Sequence, residues 1–68
     1  MKLSTRNQIG ATVTSVSQGE AIANVEMDAG GQRLVASITV EAARELGLEA
    51  GREVTALIKA SDVIVAVE

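Results

Sequence analysis

The chain has no cysteine, no histidine and no Phe, Tyr or Trp among its 68 residues. Each absence removes a class of explanation. Without cysteine there is no disulfide framework, and without cysteine or histidine there is no common zinc site. Without histidine or cysteine there is also no ready nucleophile–base pair, and the sequence is read as that of a non-enzyme. Without an aromatic ring no large side chain anchors a core, and none can stack on a nucleic-acid base. Positive charge is scarce too. Six Lys and Arg stand against nine Asp and Glu, for a net charge of −3, whereas a phosphate backbone calls for a basic surface. Nucleic acid is therefore not an expected partner.

No run is long and apolar enough to span a membrane, so no membrane partner is expected. The opening Met1-Lys2-Leu3-Ser4 lacks the apolar core of a signal peptide. Both features point to a cytoplasmic location. What the chain does have is aliphatic residues: 47% of it is apolar, mostly Val, Ala, Ile and Leu. A domain this small buries a modest fraction of its surface and needs a staple. With disulfides and zinc excluded, self-association into a homo-oligomer is the remaining support.

The period of the apolar residues is two over most of the chain. Gln8–Ser17 alternates, with Ile9, Ala11 and Val13 on one face, until Val16 breaks the pattern. Gln18-Gly19-Glu20 reads as a turn, and Ala21–Asp28 as a second strand with Ala21, Ala23, Val25 and Met27 on one side. Ala29-Gly30-Gly31-Gln32 is a hairpin signal, since paired glycines accept positive φ. Arg33–Ile38 is a third strand. The period then changes. Thr39 is placed to cap a short helix over Val40–Leu46, with Glu41 in the first turn, Ala43 and Leu46 at helical spacing, and Gly47 as its stop. Leu48–Glu53 is a polar return loop. Val54, Ala56 and Ile58 form the inner face of a fourth strand, and Asp62–Val67 reads as a fifth. The fifth strand is apolar on both faces, which implies that both are covered. Five antiparallel strands with a helix between the third and fourth match a mainly β, OB-like Greek-key barrel.

Two polar clusters lie outside this framework. Ser4-Thr5-Arg6-Asn7 precedes the first strand, and Lys59-Ala60-Ser61 follows the fourth. Each joins one cation to short hydroxyl or amide donors, a combination suited to a small oxyanion. Taken singly, Arg6 and Lys59 would read as solvated strand ends, Ser4 and Ser61 as loop residues, and Thr39 as a plain helix cap. Glu41, Glu45 and Glu49 read as a solvated helix face.

The segments Ser4-Thr5-Arg6-Asn7-Gln8, Asn24-Val25-Glu26, Ala36-Ser37-Ile38-Thr39, Leu46-Gly47-Leu48 and Ala56-Leu57-Ile58-Lys59-Ala60-Ser61-Asp62-Val63 together resemble the molbindin (Mop) family of molybdate-binding domains. The resemblance covers nearly the whole chain, read as a single Mop domain over residues 1–68. It implies an OB-like barrel assembled as a homohexamer, a trimer of dimers, that binds molybdate and by similarity tungstate between subunits. It implies no catalytic cofactor. The pocket it implies maps onto Ser4, Arg6 and Asn7, with Lys59, Ala60 and Ser61 from a neighbouring subunit and Thr39 as a further ligand. A second kind of site on a threefold axis is expected near the turn at Gly19. Ala42 stands where some relatives carry a hydroxyl.

The implied role is storage or buffering of the oxyanion, because 68 residues leave no room for an ATPase or a DNA-binding domain. The competing reading is a module that keeps the fold and the oligomer without the ligand. The chemistry suits molybdate, a tetrahedral dianion with four acceptor oxygens and no proton to donate near neutral pH. Arg6 supplies a fork of N–H donors, Lys59 a point charge, and Ser4, Ser61 and Thr39 rotatable hydroxyls. Ala60 lets the anion approach the backbone. Charge-assisted bonds contribute roughly 1.5–3 kcal/mol each, and a handful reach micromolar affinity, at about −8 kcal/mol.

Overall fold

A computed structural model describes residues 2–68; Met1, the first residue of the polar N-terminal stretch, lies outside the described residues. The elements are β1 (Asn7–Gln18), β2 (Ile22–Ala29), β3 (Gln32–Thr39), α1 (Val40–Glu45) and β4 (Glu53–Ile58), followed by a single 3-10 turn at Ala60–Asp62. The strands form one antiparallel sheet in the order β3-β2-β1-β4.

The β2–β3 hairpin turns at Gly30 and Gly31, whose φ angles of 60° and 91° are where a Cβ is disfavoured. The break in alternation at Val16 has a structural counterpart. The β1–β2 register shifts between Val13 and Ser15, a bulge that adds one residue to β1 and bends it. On the other side of β1, Val13 donates its N–H to the Arg52 carbonyl at 2.9 Å and accepts from Gly51 N–H at 2.8 Å. The return loop is thereby stitched to the strand at the bend. Beyond it, β4 pairs with the first half of β1, from Thr12↔Glu53 to Asn7↔Ile58.

The helix is short and fully capped. Thr39 Oγ1 accepts from Ala42 N–H at 3.0 Å. At the other end Gly47, with φ 63°, donates to the Arg44 carbonyl and Leu48 donates to the Ala43 carbonyl. This pair of bonds is the Schellman arrangement that a left-handed glycine permits. Val40 and Ala43 face inward and are buried. Leu46, expected beside Ala43 on the apolar face, is instead exposed, because the helix ends at Glu45 and Leu46 is already its C-cap.

The core is small. Ala11, Val13, Val25 and Met27 form one buried cluster, and Ala23, Val40 and Ala43 a second. Leu34, Ala36, Ile38 and Val54 pack against these from the two flanks and remain half-buried.

Two features depart from the sequence reading. The sheet has four strands and is not closed into a barrel, since β3 and β4 are its two edges. The fifth strand expected over Asp62–Val67 does not form: Ala60–Asp62 is a 3-10 turn, and residues 63–68 lie in no strand. A strand exists only by pairing, and no residue beyond Ile58 pairs with the sheet.

Candidate functional site

The two polar clusters lie 51 residues apart in sequence and meet at one end of the sheet. The last pair of the β1–β4 ladder is Asn7↔Ile58. Arg6 immediately precedes Asn7, and Lys59 immediately follows Ile58, so both cations sit where the ladder opens into solvent. The two clusters therefore adjoin within one chain.

The junction is fastened by two side chains that bind the same carbonyl. Thr5 Oγ1 donates to the Ile58 carbonyl at 2.8 Å, and Asn7 Nδ2 donates to it at 3.1 Å. Ile58 and Lys59 share this peptide, so Thr5 and Asn7 set the direction in which the chain leaves β4. Asn7 is among the expected anion ligands, and one of its two amide hydrogens is committed to the Ile58 carbonyl. Thr5 belongs to the polar cluster but is not among the pocket residues that the resemblance implies. Its signal was its spacing from Asn7, because positions i and i+2 of an extended segment point to one side.

After Lys59 the chain makes its 3-10 turn. Asp62 N–H donates to the Lys59 carbonyl at 2.9 Å, and Val63 N–H to the Ala60 carbonyl at 3.2 Å. No side chain caps the start of the turn. In such a turn the first N–H groups, here those of Ala60 and Ser61, have no acceptor inside it. Ala60 adds only a methyl group beside them. The backbone donors, the Ser61 hydroxyl and the Lys59 ammonium therefore belong to one short segment next to Arg6.

The electrostatics of this end are one-sided. Among the described residues the only ion pair joins Arg33 to Glu26, on β3 and β2. Neither Arg6 nor Lys59 is neutralised by a carboxylate, and Asp62, the nearest acid in sequence to Lys59, makes no ion pair with it. Ser4, Arg6, Lys59, Ala60 and Ser61 are all exposed, and Asn7 is half-buried. By contrast, the hydrogen bonds from Arg33 and Ser15 hold the Glu26 carboxyl below the usual carboxylate range. That pair sits on the outer face of the sheet, where Ser37 also donates to the Asn24 side chain. These contacts are cross-strand stabilisation and use no residue of the two clusters.

Thr39 is not part of this end. It pairs with Ile22 at the start of β2, next to the pair Gln18↔Ala23 at the far end of β1. The whole of β1, 12 residues, separates it from Asn7 along the sheet. Its hydroxyl oxygen caps α1, and the shallow depression around it is lined by Glu20, Glu41, Arg44 and Glu45. Among the described residues no group of three or more acidic side chains could hold a metal cation, and no helix is long and apolar enough to cross a membrane.

The chain is 44% identical over 69 residues to a probable molybdenum-pterin-binding protein of Haemophilus influenzae, covering all of both chains. Its fold superposes on that of a molybdate-binding protein from Sporomusa ovata with a TM-score of 0.93 and 42% identity, over 97% of this chain and 98% of the other. It also superposes on ModG, described as a cytoplasmic molybdate-binding protein and solved with molybdate bound. There the TM-score is 0.86 and the identity 44%, over 88% of this chain and 43% of that one. Residues 3–65, nearly the whole sequence, match the TOBE domain, and the chain belongs to that family.

Proposed function

We propose that this protein binds molybdate, holding the dianion at the junction of the Arg6 and Lys59 clusters. The observation that carries this reading is the juxtaposition of two exposed cations with no carboxylate between them. Like charges brought together repel, and a bound dianion turns that repulsion into attraction. Donors surround the cations: the Ser4 and Ser61 hydroxyls, the free hydrogen of the Asn7 amide, and the N–H groups of Ala60 and Ser61. An oxyanion with four acceptor oxygens and no proton to give matches a site made only of donors.

The finer reading follows the molbindin resemblance. The protein is a binding protein and not an enzyme; it stores or buffers molybdate in the cytoplasm, and it accepts tungstate. It works as a homohexamer, a trimer of dimers, in which the sheet closes into a five-stranded OB-like barrel and the exposed cluster becomes an enclosed pocket between subunits. Support comes from the open edges of the sheet and from the exposure of every cation at the site. A pocket so open in one chain excludes water only when a second surface covers it. Thr39 contributes as a ligand only across such an interface, because its own chain holds it at the far end of β1.

The test is equilibrium dialysis against molybdate with bound molybdenum measured by mass spectrometry. The wild type is expected to retain molybdenum, and Arg6→Ala and Lys59→Ala to lose most of it. Equal retention by both variants would remove the site; no retention by the folded wild type would remove the function.

A further inference from the structure

One carbonyl at the junction of the two clusters receives more side-chain donors than it needs. The Ile58 carbonyl accepts from Thr5 Oγ1 at 2.8 Å and from Asn7 Nδ2 at 3.1 Å. The first distance is the usual one for a hydroxyl donor, and the second lies toward the long end for an amide. Either donor alone would fasten the carbonyl. Thr5, Asn7 and Ile58 are all half-buried, so the carbonyl does better with a protein donor than without one.

The two donors differ in what they have left to offer. A threonine hydroxyl carries one hydrogen, and Thr5 gives it to the carbonyl. Towards an anion Thr5 could present only lone pairs, which repel it. Thr5 is therefore the one member of Ser4-Thr5-Arg6-Asn7 with no side-chain hydrogen left to give. A side-chain amide carries two hydrogens, and Asn7 commits one of them. Asn7 also has the better position: it follows Arg6 directly and pairs with Ile58, the residue before Lys59. Its amide lies within reach of both the carbonyl and an anion held by the two cations.

We propose that Thr5 is a positioning residue for the oxyanion site: by keeping the Ile58 carbonyl bonded, it frees the Asn7 amide to swing from that carbonyl to the bound dianion. The swing is a rotation of one side chain, and the Asn7 backbone stays in the ladder. It exchanges a neutral hydrogen bond for a charge-assisted one, which is the stronger of the two. With Thr5 still on the carbonyl, the Ile58–Lys59 peptide keeps its direction. The Lys59 ammonium and the N–H groups of Ala60 and Ser61 then stay beside Arg6. Without the Thr5 hydroxyl, Asn7 must serve either the carbonyl or the anion. The inference rests on the molybdate reading of this site and adds to it a residue that does not touch the anion.

The test is a double-mutant cycle on the full chain, read by calorimetric titration with molybdate. Thr5→Val removes the hydroxyl and keeps the branched shape. Its molybdate affinity should fall about tenfold, as for one lost hydrogen bond, and Thr5→Ser should return it to within about twofold of wild type. Asn7→Ala should weaken binding about tenfold in the wild-type background and much less in the Thr5→Val background. Ligand-free Thr5→Val should melt with the wild type, because Asn7 still holds the carbonyl. The swing itself is read by ¹⁵N NMR. The Asn7 side-chain NH₂ signals should shift when molybdate is added to the wild type and stay in place in Thr5→Val. Wild-type affinity in Thr5→Val, a loss that Thr5→Ser does not rescue, or additive effects of the two substitutions would overturn the proposal and leave the molybdate site standing. No binding by the folded wild type would overturn both.

Discussion

The two flanks of this small sheet contrast sharply. Around β2 and α1 the chain finishes what it starts. The helix is capped at both ends, Ala23, Val40 and Ala43 are buried together, and the β2–β3 hairpin closes over two glycines. Around β4 it does not. Leu57 is exposed, the wall residues of the groove are half covered, and the most apolar stretch of the sequence hangs in solvent. Both candidate anion clusters sit on this unfinished side. A chain of 68 residues without aromatics, disulfides or zinc has enough aliphatic surface for one complete flank. The other flank is left open, and the candidate binding site lies at its end.

The contrast can be broken at several points. The largest effect is expected from the unfinished side. Replacing Ile64 and Val65 by Asp should abolish assembly at low micromolar concentration, seen as monomer mass in sedimentation. Next is the anion cluster. Arg6→Ala or Lys59→Ala removes a charge-assisted donor, about 2 kcal/mol, so molybdate affinity measured by calorimetry should fall roughly 30-fold. On the finished side, Val25→Ala should cost about 2 kcal/mol of stability in a urea unfolding titration while leaving molybdate stoichiometry unchanged. Thr39→Ala should cost about 1 kcal/mol through loss of the helix cap, and Thr39→Ser should restore most of it. A loss of molybdate binding in Thr39→Ala that Thr39→Ser rescues would support Thr39 as a ligand from a neighbouring subunit.

The smallest effect concerns pH. Glu26 has a folded-state pKa below its unfolded value, held there by Arg33 and Ser15. Its contribution to stability is therefore present above the unfolded carboxylate pKa and is lost as pH falls through the folded one. Both groups are exposed to solvent screening, so the effect is small. Glu26→Gln should flatten the acid limb of the stability profile slightly, and an unchanged limb would remove the pair from the account.

Much of the fold is legible in the residues. Alternation marks the four strands to within a residue or two, and the break at Val16 marks the bulge between Val13 and Ser15. Thr39 and Gly47 announce the helix ends because capping is local chemistry. The helix fell one residue short of its expected end, which exposes Leu46. The fifth strand was legible as a pattern, and apolarity on both its faces was legible as a demand for cover. What periodicity does not contain is the partner: pairing is a property of two segments, and residues 63–67 find none in their own chain. The site was legible in part. Arg6, Lys59 and Ser61 stand out as cations and hydroxyls outside the strand pattern, but their meeting depends on the antiparallel register of β1 with β4. The pairings of β2 with β3 and with β1 put Thr39 at the opposite end of β1, which residue types alone do not indicate. Residue type does not mark Thr5, whose role is to hold a backbone carbonyl.

The central claim, a selective oxyanion site at the Arg6–Lys59 junction, is tested most directly by isothermal titration of the purified protein with molybdate in a large excess of sulfate. Saturable heat at a fixed ratio of anion to subunit, unchanged by sulfate and lost in Arg6→Ala, is the predicted result. An absence of heat, or heat abolished by sulfate, would contradict it.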